Sequence, residues 1–156
     1  METIGVFLNG SEEAAASLDF GIKEAALRCA RLRLISAWEV PQSMLGAGVG
    51  GKELYDQFRE SAEALVEEGV ARAAELAPSV ECERRVAKGQ PNAVFLEESQ
   101  GCTLVVAARR RQGTVRELVL GSISRHILNH AECPVVVIPI LTPRRTPAEA
   151  NGATGS

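Results

Sequence analysis

The segment Thr103 to Ala131, TLVVAARRRQGTVRELVLGSISRHILNHA, restricts the fold more than any other part of the chain. Leu104, Val105 and Val106 form an apolar run with no polar face, which suits a strand covered on both sides. A basic loop follows, Arg109-Arg110-Arg111. The Gly121-Ser122 pair then opens a helical pattern with Ile123, Ile127, Leu128 and Ala131 on one side. Ser122 reads as the N-cap, its hydroxyl accepting from a free backbone N–H of the first turn. A helix N-terminus facing the carboxyl end of a parallel strand is an anion site. The unpaired N–H groups and the helix dipole both favour phosphate.

Around this segment, strands and helices alternate. Thr3 to Leu8 reads as a first strand, and Asn9-Gly10-Ser11 turns the chain into a first helix. Ser11 is its expected N-cap, with Glu12 and Glu13 complementing the dipole. Ala15, Leu18, Ile22, Ala25, Ala26 and Cys29 follow helical spacing. Arg33 to Trp38 is the second strand, followed by a glycine-rich loop from Glu39 to Gly51. A long helix is expected from about Glu53 to Leu76, with Leu54, Phe58, Ala62, Leu65, Val66, Gly69 and Ala73 as its apolar stripe. Glu81 to Ala87 is a more polar strand that suits a sheet edge. Pro91 suits the first position of a short helix ending near Gly101, and Pro134 to Ile140 is a fifth strand. Such alternation implies a doubly wound parallel sheet with helices on both faces. Ligands then sit at the carboxyl ends of the strands, where the winding direction reverses. Residues 1–140 form one domain in this reading, and 141–156, rich in Pro, Gly, Ala and polar residues, form a disordered tail.

The Gly121-Ser122 pair, Ser124-Arg125-His126, Cys133-Pro134-Val135-Val136-Val137 and the Val6 to Ser11 stretch (VFLNGS) together resemble the universal stress protein family, the UspA-like proteins. The resemblance runs from about residue 3 to 139. It implies a five-stranded sheet in the order 3-2-1-4-5, which sets strands one and four side by side. ATP-binding members carry a glycine, two residues, a second glycine, nine residues, then Gly-Ser or Gly-Thr. In this chain Ala108 and Arg111 stand at the two earlier glycine positions, while Gly113 lies between them and the surviving Gly121-Ser122. Asn9 stands where the family has aspartate. The implied cofactor-binding set is therefore Asn9, Ala108, Arg111, Gly113, Gly121, Ser122, Ile123 and Ser124, with ATP as the ligand and Mg²⁺ only alongside it. A Cβ blocks close approach of backbone to phosphate, so Ala108 is a small loss and Arg111 a large one. An Arg111 guanidinium could still pair with phosphate from another angle. Asn9 can accept a hydrogen bond but lacks the charge that favours Mg²⁺, and it also suits a turn. The resemblance further implies a homodimer through the apolar edge strand Pro134 to Pro139.

Composition excludes several classes. The formal net charge of -3 gives no general attraction to nucleic acid or an anionic membrane. Three adjacent arginines without interleaved aromatics are not a nucleic-acid footprint. They read as an anion clamp or as a solvated loop. No apolar run approaches the ~20 residues of a membrane span. METIGVFLNG begins a strand rather than a basic leader, and the four cysteines lack any CxxC pair, so a reduced cytoplasmic setting is expected.

Two further patterns lead nowhere specific in sequence. Gly46 to Lys52, GAGVGGK, satisfies both GxxxxGK and GxGxxG, but Glu53 replaces the Ser or Thr of a P-loop and no strand directly precedes it. His126 and His130 share one helix face. No third ligand is placed with them, and a dipole interaction at the helix end is the simpler role. No nucleophile arrangement is recognisable. Two readings follow. In the first, the chain is a non-enzymatic, homodimeric stress-response or regulatory protein with a degraded ATP site, acting through protein partners or a different small ligand. In the second, it is a nucleotide-responsive domain that keeps ATP at Gly121-Ser122 with help from the arginines. A slow ATPase comes third.

Overall fold

The computed structural model describes residues 1–46, 50–111 and 118–140. Their elements, in chain order, are β1 (Thr3–Phe7), α1 (Glu12–Arg28), β2 (Arg31–Trp38), α2 (Gln42–Leu45), α3 (Gly51–Leu76), β3 (Cys82–Lys88), α4 (Pro91–Glu98), β4 (Leu104–Arg111), β5 (Leu118–Val119), α5 (Ser122–His130) and β6 (Val135–Ile140). The parallel strands run in the order β3-β2-β1-β4-β6, which is the expected 3-2-1-4-5 counted without the short β5. The expected tail, 141–156, lies outside the described residues.

Side-chain alternation along the central strands explains the layers. Ile4, Val6, Leu32, Leu34, Leu104 and Val106 point to one face, where Leu18, Ile22 and Ala25 of α1 and Val66 and Ala73 of α3 cover them. Phe7, Ile35, Val105 and Ala107 point to the other, against Val94 and Phe95 of α4 and Ile127 of α5. Every residue from Thr3 to Leu8 is buried. With an aromatic content of 4%, the core is built from aliphatic side chains, and Phe7 stacking on Phe95 at 5.3 Å is the exception.

Several boundaries differ from the sequence expectation. The buried side of α1 is Ala14, Ser17, Leu18, Gly21, Ile22 and Ala25, whereas Ala15, Ala26 and Cys29 are exposed. A small-residue lane through Ser17 and Gly21, not the alanine pattern, lets this helix approach the sheet. A Cβ on Gly21 would lie 2.6 Å from Cγ2 of Val6. The expected loop after β2 contains a one-turn helix, α2, and α3 starts at Gly51. Leu128, expected on the inner side of α5, is exposed.

At the opposite end of the sheet from the site described below, Arg33 holds β2 to the end of α4. Its Nη1 donates to the carbonyls of Glu98 and Gln100 at 2.9 and 2.8 Å, and its Nε donates to Glu83 at 2.9 Å.

Gly21→Ala tests the close packing of α1. Alanine gains about 1 kcal/mol of helix propensity over glycine, but overpacking a rigid site costs about 1–3 kcal/mol. Val6 is fully buried and branched next to the backbone, so it has nowhere to move. Thermal denaturation should show a lower midpoint for the variant, and a raised midpoint would mean that α1 can lift without cost.

Candidate functional site

The site forms where β1 and β4 end side by side. After β1, Gly10 adopts φ +79, which glycine supplies without a Cβ penalty. Asn9 closes the turn. Its Oδ1 accepts from Ser11 N–H at 3.1 Å and from Ser11 Oγ–H at 2.6 Å. A backbone N–H can only donate, so this contact fixes which end of the Asn9 amide is oxygen. Ser11 Oγ in turn accepts from Ala14 N–H at 3.1 Å, and is the N-cap of α1. Asn9 therefore serves as the turn residue its type suggested, and its carbonyl oxygen is already engaged.

Across the gap, β4 runs further than the apolar run suggested. Arg109 and Arg110 pair with Pro139 and Ile140 of β6, and Arg110 and Arg111 pair with Val119 and Leu118 of the antiparallel β5. The arginines thus lie in a strand and not in a loop, because β6 and β5 extend the ladder on both edges of β4. Arg110 reaches back to the start of α1, where its Nε donates to Glu13 at 2.8 Å and its Nη2 to Glu12 at 2.7 Å. A free anion clamp is therefore not what Arg110 provides. The Arg111 side chain and Gly113 lie outside the described residues, as do Arg116 and residues 47–49 of the GAGVGGK segment. Gly50 and Gly51 of that segment begin α3.

Gly121, not Ser122, is the N-cap of α5, at φ -61 and ψ 164, and no side chain caps the helix. Ser122 is already helical, so its hydroxyl is one position too late for the role expected of it. The first N–H groups of α5 have no intrahelical partner, and Ile123 and Ser124 of this turn line the small concavity described below. Ser124, by contrast, is committed: its hydroxyl donates to the carbonyl of Ala108 at 3.0 Å and ties α5 to β4. Ala108 is only 3% exposed.

Two concavities meet at Asn9. A small one of ≈ 50 Å³ is lined by Ser11, Glu13, Ser17, Phe95, Ala108, Ile123 and Ser124 among others. A larger cleft of ≈ 330 Å³ opens between β2 and α3, lined by Ser36, Trp38, Glu39, Phe58, Ser61, Leu65 and Pro91. Trp38 meets Tyr55 edge-on at 6.1 Å, and the Lys88 ammonium lies 4.6 Å from the Tyr55 ring and 5.7 Å from the Trp38 ring. The sequence reading missed this cleft. The signal available was the chain's single Trp and single Tyr, one at the carboxyl end of a strand and the other in the next long helix. No cluster of three metal-ligating side chains occurs among the described residues. No helix among them is long and apolar enough to cross a membrane.

The carboxyl of Glu13 is held below its ordinary range, first by a hydrogen bond from its own backbone N–H, and then, against partial desolvation, by Arg110 and Ser11. A carboxyl with a depressed folded-state pKa contributes stability above its unfolded value and loses it as pH falls through the folded value. Arg110→Ala should therefore raise the Glu13 titration midpoint, read by NMR of the side-chain carboxyl, and weaken the acid dependence of stability. An unmoved midpoint would show that the pair does not form in solution.

The sequence profile of the universal stress protein family matches residues 1–139. A universal stress protein of Mycolicibacterium smegmatis is 28% identical over 131 residues, covering 84% of this chain and 43% of the relative, so the chain spans less than half of that protein's length. A crystal structure of a protein from the family in Burkholderia pseudomallei is 26% identical, with a TM-score of 0.67 over 89% of this chain and 96% of that one. An Arabidopsis thaliana protein of the family, crystallised with AMP bound, shares the fold at 19% identity and a TM-score of 0.63 over 96% of this chain and 99% of that one. With the family profile spanning nearly all of the described structure, this chain belongs to the universal stress protein family.

Proposed function

We propose that the chain is a non-enzymatic, homodimeric regulatory domain whose triphosphate site is degraded. The observation that carries this reading is the chain's own occupation of the gap between β1 and β4. The Asn9 carbonyl is taken by Ser11, the Ser124 hydroxyl by Ala108, and the Arg110 guanidinium by Glu12 and Glu13. Ala108 adds a buried methyl where close approach of backbone to phosphate would be needed. Glu13 brings a negative charge to the small concavity, and Asn9 brings none that would hold Mg²⁺. Dimerisation draws support from β6. Among the described residues it pairs only with β4, and its apolar edge suits a second copy across a two-fold axis. All four cysteines are free, which fits a reducing cytoplasmic setting.

A second reading, nucleotide binding without metal, is favoured by the larger cleft. Its ≈ 330 Å³ reaches the lower end of small-ligand pockets, about 300 Å³. Trp38 and Phe58 offer apolar surface to a base, and Ser36 and Ser61 line the same cleft. The AMP held by the Arabidopsis protein is a ligand of that size.

The test is thermal denaturation with Mg-ATP, AMP and Mg²⁺ alone, with Trp38 fluorescence as a second signal. A ligand at ~100 times its Kd stabilises by ~2.7 kcal/mol. The first reading expects no shift with Mg-ATP for the wild type. It expects a shift for the variant combining Asn9→Asp, Ala108→Gly and Arg111→Gly. A strong Mg-ATP shift in the wild type overturns it, and a shift with AMP alone selects the second reading.

A further inference from the structure

Asn9 and Gly10 stand side by side in the turn after β1, both exposed. We propose that this pair is a self-modification site, at which the Asn9 amide converts to aspartate and isoaspartate through a cyclic imide. The Gly10 backbone nitrogen attacks Cγ of Asn9 and gives up its proton to water. Negative charge gathers on Oδ1. The tetrahedral centre then collapses, the Cγ–Nδ2 bond breaks, and Nδ2 leaves as ammonia with a proton from water. A second water opens the imide. Attack at Cγ breaks its new bond to the Gly10 nitrogen and leaves an ordinary aspartate. Attack at the backbone carbonyl carbon of residue 9 breaks that carbon's bond to the same nitrogen and leaves isoaspartate, with the chain running through Cγ. The net change is water consumed and ammonia released, with no oxidant or reductant.

The local structure favours each step. Only Cβ, Cα and the carbonyl carbon separate Cγ from the Gly10 nitrogen, so their bond closes a five-membered ring. The Asn9 side chain already folds back along this backbone, because its Oδ1 meets the Ser11 N–H at 3.1 Å. Gly10 has no Cβ to crowd the attack. Among the described residues its N–H donates to no backbone carbonyl, so losing that proton breaks no backbone pairing. The oxygen that becomes charged faces two donors, the Ser11 N–H and the Ser11 hydroxyl at 2.6 Å. Donors placed in advance where charge develops lower the barrier, and their hydrogen bonds strengthen once the acceptor is ionised. Asn92 and Asn129 lack this setting. Each lies inside a helix and is followed by a residue with a Cβ, Ala93 or His130. Asn9 lines both concavities, so the product puts a carboxylate where they meet. Isoaspartate also adds a backbone methylene between β1 and α1. The chemistry is independent of which ligand reading holds.

The experiment incubates the full chain at neutral and at raised pH. Peptide mapping by mass spectrometry follows the NH₂-to-OH exchange at Asn9, and isoaspartyl methyltransferase labelling identifies the isoaspartate form. Asn151-Gly152 repeats the dipeptide and serves as a reference within the same chain. Asn9 should give both products, faster as pH rises. Ser11→Ala should slow conversion in the folded chain about tenfold, the factor carried by one hydrogen bond to a charged oxygen. Gly10→Ala should slow it as well, and circular dichroism checks that both variants keep the fold. In urea the turn is lost, and wild type and Ser11→Ala should convert alike. A turn that merely restrained Asn9 would give the opposite sign, with Ser11→Ala faster. Absence of conversion at Asn9 by the time Asn151 has converted, or an equal or faster rate in folded Ser11→Ala, overturns the proposal.

Discussion

The structure depends on burying β1 on both faces and pairing it on both edges. Thr3 to Leu8 are buried, β2 pairs along one side and β4 along the other. The covering helices then divide, with α1 and α3 on one face and α4 and α5 on the other. Right-handed crossovers leading away from β1 and β4 in opposite directions leave a gap at the carboxyl ends of these strands that no crossover can cover. Topology alone makes the concavity, and the side chains around it decide what it can hold.

Those side chains are mostly engaged with each other, but their contacts differ in strength. The Arg110 pairs join a side chain 40% exposed to carboxylates 75% and 34% exposed. Exposed pairs of this kind are worth about 0–1 kcal/mol, so they would yield to a tightly held anion. The Ser124–Ala108 contact and the buried Ala108 methyl are less easily displaced, because they lie within packed structure. In the proposed reading the buried methyl of Ala108 and the negative charge of Glu13 therefore weigh more than these exposed pairs, and the neutral Asn9 adds no charge.

Much of this was legible in sequence where one residue type has one physical use. Ser11 followed by Glu12 and Glu13 marked a helix start, Pro91 marked another, and the Leu104-Val105-Val106 run marked a strand buried on both faces. The stripe on α3 was right because large apolar residues there have no alternative face. The face of α1 was half right: Leu18, Ile22 and Ala25 are buried, but Ala15, Ala26 and Cys29 are not, because alanine carries little directional information and the lane used also contains Ser17 and Gly21. The extension of β4 through three arginines was invisible for a different reason: its pairing partners, β5 and β6, come later in the chain, and no local pattern announces them. Ser122 was misplaced by one residue because capping depends on where helical dihedrals begin, which composition does not fix. The cleft at Trp38 needed the long helix α3 set against the end of β2, a tertiary fact.

Arg33 gives the opposite end of the sheet a different character. One guanidinium, with its side chain 13% exposed, satisfies one carbonyl at the end of α4 and one just past it, and links them to β2 and, through Glu83, to β3. The helix end has its own turn, with the Ser99 hydroxyl donating to the Leu96 carbonyl and Gly101 at φ +78, and Arg33 ties that turn to the neighbouring strand. The lower rim is thus maintained by a component independent of the upper one. Changes at Asn9, Ala108 or Arg110 therefore leave the Arg33 anchorage of β2, β3 and α4 untouched.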